Sequence, residues 1–169
     1  MAIVIEDGTG VVTANAYVGV DEADEILSVN IHSKWGLIAD VETKEKLIRW
    51  ASRILDERVR WFGKKTHPTS GLAWPRTQVR DRENELIEDN VVPLAVRIAT
   101  AELADHLISG DPETANTGSN ITDIQVDVIM LKFDARLAVE KFPPNLSKIL
   151  LGLGLMSFGR GGPKRIIKH

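Results

Sequence analysis

Four histidines are the side chains best suited to acid–base chemistry or to metal binding near neutral pH. They are His32, His67, His106 and His169. They lie far apart, and none pairs with another histidine or a carboxylate at metal-ligand spacing. The chain has no cysteine, so disulfides and thiolate metal sites are excluded. We therefore predict no metal site, and we interpret the histidines as surface or packing residues.

Two glycine-rich stretches could in principle hold a phosphate. Gly8-Thr9-Gly10 and Gly159-Arg160-Gly161-Gly162 both lack the Gly-Lys-Ser/Thr ending and the strand-to-helix setting of a phosphate loop. The many Asp and Glu residues accompany no evident nucleophile or base, and are better explained as solvated helix faces. The sequence therefore predicts no catalytic site and no cofactor, and a protein that is not an enzyme.

The charge is distributed unevenly along the 169 residues. The segment from Lys141 to His169 has six Lys/Arg and no acidic residue, although the whole chain has a formal charge of −3. The other fifteen Lys/Arg and all twenty-four Asp/Glu lie in residues 1–140, which therefore carry −9. An acidic body with a basic end favours contacts between subunits or with an acidic partner. A merely solvated terminus is the alternative.

Helical periodicity accounts for most of the chain. Helices are predicted over about residues 21–31, 40–62, 93–109 and 145–153, with Asp40 and Pro93 as start signals. Partial alternation predicts a β-hairpin near 121–134. No signal peptide or membrane span is evident. We predict a mainly α fold, a bundle of about four helices with a small hairpin over 1–152, and an extended basic and apolar C-terminal arm over 153–169.

Two charged residues fall on otherwise apolar helix faces. Arg58 projects from the buried side of the second predicted helix, and Glu102 lies on an apolar side of the third. A buried charge is costly unless paired, so we expect these two residues to form an interhelical pair. A solvent-edge Glu102 is an equal alternative.

The long connection over residues 64–90 contains Trp74, Pro75 and Arg76. A residue before proline is extended, and long loops are usually functional or fixed by their own contacts. We predict that Trp74 is buried and that Arg76 makes a polar contact that fixes the connection. Hydrophobic anchoring without any role for Arg76 is the alternative.

The predicted arm combines apolar anchors with positive charge. We interpret it as a segment that contacts a partner or a neighbouring subunit and becomes ordered only there. The contact residues we predict are Leu155, Met156, Phe158, Arg160, Lys164, Arg165, Ile166, Ile167 and Lys168.

Several motifs together resemble a known family. They are Ile5-Glu6-Asp7-Gly8-Thr9-Gly10, Ala14-Asn15-Ala16-Tyr17-Val18, Asp21-Glu22-Ala23-Asp24, Ile54-Leu55-Asp56 with Arg58, Trp61 with Gly63, and Leu72-Ala73-Trp74-Pro75-Arg76-Thr77. The chain resembles a tailed-phage family labelled putative DnaT-like single-stranded-DNA-binding protein, and it is similar to the head-tail adaptors of long-tailed phages. The match covers most of residues 3–155, and the Leu-Ala-Trp-Pro-Arg-Thr string is its most specific element.

The resemblance implies a head-tail adaptor, a homo-oligomeric ring of about twelve subunits beneath a portal protein. Its partners would be the portal, neighbouring subunits, the next neck or tail protein, and genomic DNA passing through the channel without sequence-specific binding. Its location would be the neck of the virion, after synthesis in the host cytoplasm. It implies no catalysis, no cofactor and no membrane.

The alternative hypothesis is a single-stranded-DNA-binding protein. That function requires a basic groove with aromatic side chains that stack on bases. Trp50 and Trp61 lie at helical core spacing and the body is acidic, so phosphate contacts would have to come from the C-terminal basic residues. The sequence therefore favours the adaptor over the DNA binder.

Overall fold

The computed structural model describes residues 2–110, the backbone of two strands within 123–132, and residues 142–156. Its helices are α1 (Val20–Ser28), α2 (Val41–Arg58), α3 (Leu94–Leu107) and α4 (Leu146–Ile149), with a 3-10 turn at Trp35–Leu37. Its strands are β1 (Val59–Trp61), β2 (Lys64–Lys65), β3 (Arg76–Thr77), β4 (Asp123–Val126), β5 (Ile129–Lys132) and β6 (Gly154–Met156). No helix in the described part is long and apolar enough to cross a membrane.

Helices α2 and α3 form the centre of the molecule. The carboxylate of Asp40 caps α2 by accepting a hydrogen bond from the Thr43 amide at 2.9 Å. The buried side of helix α2 includes Ile48, Ile54 and Leu55, all nearly inaccessible to water. Helix α3 is buried on most of its surface, as the apolar residues on both of its sides predict.

The described residues contain three short antiparallel strand pairs. Strand β1 pairs with β6, β2 with β3, and β4 with β5. The last pair lies where the sequence predicts a hairpin, near 121–134. The β1–β6 pair joins the end of α2 to the C-terminal part of the chain, with Trp61 opposite Gly154. A Cβ on Gly154 would lie 2.6 Å from a Val59 methyl carbon, so the close approach of these two strands requires glycine.

The predicted mainly α bundle is wrong, because the described residues combine four helices with six short strands in three antiparallel pairs. Helix α2 ends at Arg58 rather than near Phe62, and the chain continues as β1 with Val59 and Trp61 facing the core. Along β1, buried and exposed residues alternate, which is the period of a strand and not of a helix. The predicted last helix is also shorter, since α4 is a single turn. Extended segments between the helices therefore supply much of the core.

The segment predicted to begin the C-terminal arm is packed against the domain. Leu153 is buried, Gly154–Met156 is strand β6, and Leu155 is exposed while Met156 is half-buried. The remaining predicted contact residues, Phe158, Arg160, Lys164, Arg165, Ile166, Ile167 and Lys168, lie outside the described residues.

Candidate nucleic-acid interface

Asp56, near the end of α2, connects several of the sequence motifs. Its carboxylate accepts hydrogen bonds from the Tyr17 hydroxyl at 2.5 Å, the Trp61 indole nitrogen at 3.1 Å and the Ala73 amide at 2.8 Å. The Tyr17 oxygen also accepts from the amides of Ala73 and Trp74. The Ala-Tyr-Val, Ile-Leu-Asp and Leu-Ala-Trp-Pro motifs therefore meet in one hydrogen-bond network that holds the N-terminal segment and the 71–76 segment against α2.

Burial governs the ionisation of this network. Removal from water raises the pKa of Asp56, and the hydrogen bonds from Tyr17, Ala73 and Trp61 oppose that rise. Burial also raises the pKa of Tyr17 well above its ordinary value, and the neighbouring Asp56 charge raises it further. The shifts follow from packing and require no catalytic role.

The Glu-Asp-Gly-Thr-Gly motif forms a packed turn rather than a phosphate loop. Glu6 is buried, and its carboxylate accepts hydrogen bonds from the Gly8 amide at 3.0 Å and the Gly10 amide at 2.8 Å. The Ser70 hydroxyl donates to the same carboxylate at 3.3 Å. The amides that would face a phosphate are thus occupied by Glu6.

The predictions for the 64–90 connection agree with the geometry. Trp74 is fully buried and packs edge-to-face on Trp61, with ring centroids 5.8 Å apart. Pro75 is buried beside it. Arg76 donates hydrogen bonds to the carbonyls of Phe62 at 2.6 Å, Gly63 at 2.9 Å and Ala73 at 3.0 Å. Both the aromatic ring and the guanidinium therefore fix this connection.

The predicted Arg58–Glu102 pair is not among the hydrogen bonds and ion pairs of the described residues. The Glu102 carboxylate accepts instead from the side-chain amide of Asn145, which connects α3 to the start of α4. Arg58 is half-buried at the end of α2 and has an interaction of its own. Helical spacing places two residues on apolar faces without fixing which faces meet, so the sequence could not decide the partner of either residue.

The outer side of α2 carries a basic and aromatic surface, which we call the α2 face: Lys46, Arg49, Trp50 and Arg53. These residues follow the spacing i, i+3, i+4, i+7, which aligns them along one side of a helix. The guanidinium of Arg53 lies over the Trp50 ring, 5.1 Å from its centroid. Trp50 is only half-buried, whereas Trp35, Trp61 and Trp74 are buried. It is the most exposed of the four tryptophans.

An open cleft of about 680 Å³ lies along the α2 face. All four residues of the face line it, together with Asp56 and Glu57. The opposite wall comes from two connecting segments, through Ala14-Asn15 and Gly71-Leu72. The Asp56 network therefore links α2, through Tyr17 and Ala73, to the two segments that line the rest of the cleft.

The charges of the α2 face are partly compensated. Lys46 pairs with Glu42 at 2.8 Å, and Arg53 pairs with Glu57 at 2.7 Å. Arg49 donates to the Glu45 carbonyl at 3.3 Å and, within the described part of the chain, has no carboxylate partner. The face thus offers one uncompensated cation and two cations in exposed pairs.

Sequence reasoning missed the α2 face. It interpreted Trp50 as a core residue, which is half right because Trp50 is partly buried and packs against the core, but it did not consider the exposed part of the side chain and sought phosphate contacts only near the C-terminus. The signal was present in Lys-x-x-Arg-Trp-x-x-Arg, which places three cations around one aromatic ring on a helix. An overall negative charge concealed this local pattern.

Comparison with known proteins gives one family. The family model described as "Putative DnaT-like ssDNA binding protein" matches residues 1–166. No curated protein and no solved structure matches the chain. The finding overturns the expectation of a head-tail connector in a virion, since it gives no evidence of an adaptor, and it supports no portal, ring or tail-side partner. The family description agrees instead with the alternative hypothesis of single-stranded-DNA binding.

Proposed function

We propose that this chain, which belongs to the family of putative DnaT-like single-stranded-DNA-binding proteins, binds single-stranded DNA on the α2 face without catalysis. The observation that carries the location is the Arg53 guanidinium over the half-buried Trp50 ring, with Arg49 one turn before Arg53 and Lys46 one turn before Trp50. An aromatic platform beside cations is the arrangement that non-sequence-specific binders of single strands use.

Each part of the α2 face has a chemical role in this proposal. An unpaired base stacks on the flat surface of the Trp50–Arg53 pair, either on the guanidinium or directly on the indole ring. The phosphates on each side of that base contact Lys46 and Arg49. Stacking on an aromatic ring does not read the edges of a base, so we propose binding that tolerates many sequences.

The negative charge of the body does not prevent such binding. Charges that are exposed and separated by more than about 8–10 Å are largely screened at physiological salt. The potential that a strand meets in the cleft therefore depends mainly on the residues that line it. Lys46, Arg49 and Arg53 line it with Asp56 and Glu57, and Glu42 pairs with Lys46, so the local charge is close to balanced despite the negative charge of the body.

The C-terminal basic residues are a separate source of phosphate contacts. Arg160, Lys164, Arg165 and Lys168 lie outside the described residues, and their role in DNA binding stays a prediction from sequence. Deleting residues 157–169 removes no residue of the α2 face. The deletion therefore separates the contribution of the C-terminal charge from that of the cleft.

The test measures fluorescence anisotropy of a labelled oligodeoxythymidylate of about ten nucleotides over a series of salt concentrations. The wild type should bind, and Arg49→Gln should weaken binding and reduce the slope of log K against log salt by about 0.7, the value for one phosphate contact on a single strand. Arg82→Gln is the matched control, because Arg82 is exposed and lies outside the cleft. Equal binding by the two variants would contradict the proposed site, and absence of binding by the wild type would contradict the function.

A further inference from the structure

Two exposed carboxylates hold the two outer cations of the α2 face. Glu42 pairs with Lys46, and Glu57 pairs with Arg53, each four residues apart along the helix. All four side chains keep at least half of their surface accessible, from 50% for Glu57 to 71% for Glu42. Neither pair is a core contact, so each carboxylate competes with any phosphate that approaches its cation.

Helix stability does not explain both pairs. Glu42 lies in the first turn of α2, where a negative charge favours the positive end of the helix dipole. Glu57 lies next to the last residue of α2, where the same dipole disfavours a negative charge. The Arg53–Glu57 pair also has the cation on the N-terminal side, which is the weaker order for an i, i+4 pair. Glu57 therefore lies at a position that is unfavourable for helix stability. The same position is directly beside the Trp50–Arg53 stacking platform.

We propose that Glu42 and Glu57 set the preference of the α2 face for single-stranded over double-stranded DNA. The proposal rests on the proposed function, because it assigns the selectivity of that same site. The carboxylates neutralise two of the three cations, so a ligand that offers only phosphates binds the face weakly. A ligand with unpaired bases keeps the stacking contribution of Trp50 and Arg53, which does not depend on phosphate charge.

Single-stranded and double-stranded DNA differ in the accessibility of their bases and in the density of their phosphate charge. In a duplex the bases are stacked on one another and cannot reach the Trp50 platform. The attraction of a duplex to the α2 face therefore comes from its phosphates alone. A duplex also presents a higher charge density along its axis than a single strand, and repulsion by Glu42 and Glu57 therefore reduces duplex binding more. The carboxylates lower affinity for both ligands but lower it most for the duplex.

The experiment compares the wild type, Glu42→Gln, Glu57→Gln and the double variant. Each is titrated with an oligodeoxythymidylate and with a duplex of the same length at about 50 mM salt, where phosphate contacts are strong. In the double variant we expect duplex affinity to rise about tenfold and single-strand affinity about threefold, as expected for exposed charges. Glu25→Gln, an exposed carboxylate on α1, should change neither affinity. Urea unfolding of each variant checks that stability is retained.

A Trp50→Ala variant separates failure of this inference from failure of the function. If Trp50→Ala weakens single-strand binding while the double glutamine variant keeps the wild-type ratio of the two affinities, the selectivity proposal is overturned and the binding site stands. If Trp50→Ala has no effect, the binding site itself is wrong. A fall in the affinity ratio in the double variant, with Glu25→Gln unchanged, supports the proposal.

Discussion

Replacing Asp56 by alanine should destabilise the fold and separate the two walls of the cleft. The carboxylate accepts hydrogen bonds from three donors that belong to different segments: Tyr17, Trp61 and Ala73. Two donors, the Tyr17 hydroxyl and the Trp61 indole, lose their described acceptor in the variant. The Ala73 amide keeps the Tyr17 oxygen as an acceptor at 3.0 Å.

The magnitude follows from these contacts. A buried donor without an acceptor costs about 1–3 kcal/mol, so two such donors cost about 2–6 kcal/mol. Removing a carboxylate whose burial disfavours its charged form recovers part of that cost. We expect a net loss of about 2–4 kcal/mol for Asp56→Ala. Asp56→Asn keeps an oxygen acceptor but places an NH₂ group near the Ala73 amide, and should cost about 1–2 kcal/mol.

Urea unfolding followed by circular dichroism measures these losses as changes in midpoint at constant slope. Glu25→Ala is the control, and should change the free energy of unfolding by no more than about 0.5 kcal/mol. A double-mutant cycle of Asp56→Ala with Tyr17→Phe should give a coupling energy of about 1–2 kcal/mol. The reasoning is refuted if Asp56→Ala is as mild as the control, because the network would then contribute nothing to stability.

Other predictions concern the residues around this network. Trp74→Ala should cost about 3–5 kcal/mol in urea unfolding, since a fully buried ring leaves a cavity; a loss below about 1 kcal/mol would show that the site collapses freely. Arg76→Ala should cost about 1–3 kcal/mol by releasing the carbonyls of residues 62, 63 and 73, and an unchanged urea midpoint would contradict this. Because the folded-state pKa of Tyr17 is raised, the folded protein retains this proton at a pH where the unfolded chain releases it, and stability should fall as pH rises above about 10. Tyr17→Phe should lack this alkaline loss, and the idea fails if its profile matches the wild type.

Local features of the fold could be predicted from the sequence because they depend on nearby residues. Asp40 and Pro93 mark where α2 and α3 begin, and the Trp74-Pro75 step predicts a buried anchor. Alternation near 121–134 predicts the hairpin. In each case the determining interaction is a cap, a restricted backbone angle or a local period.

Long-range features could not be predicted in this way. Strand β1 exists because Val59–Trp61 pairs with Gly154–Met156, more than ninety residues later, and this pairing ends α2 before its helical pattern ends. The Asp56 network likewise joins segments that no local pattern connects. Trp50 packs against the core as its helical spacing predicts, but spacing cannot tell how much of a residue at the edge of an apolar stripe is covered by a neighbouring segment.

The central claim is that Trp50 forms the stacking platform for single-stranded DNA. The most direct measurement is the affinity of Trp50→Ala and Trp50→Phe for a labelled oligodeoxythymidylate, at fixed salt and with unfolding stability measured in parallel. The loss of one stacked base costs about 1–3 kcal/mol, so Trp50→Ala should bind roughly 5- to 150-fold more weakly, while Trp50→Phe should retain much of the wild-type affinity. If a folded Trp50→Ala variant binds single-stranded DNA as tightly as the wild type, the α2 face is not the binding site.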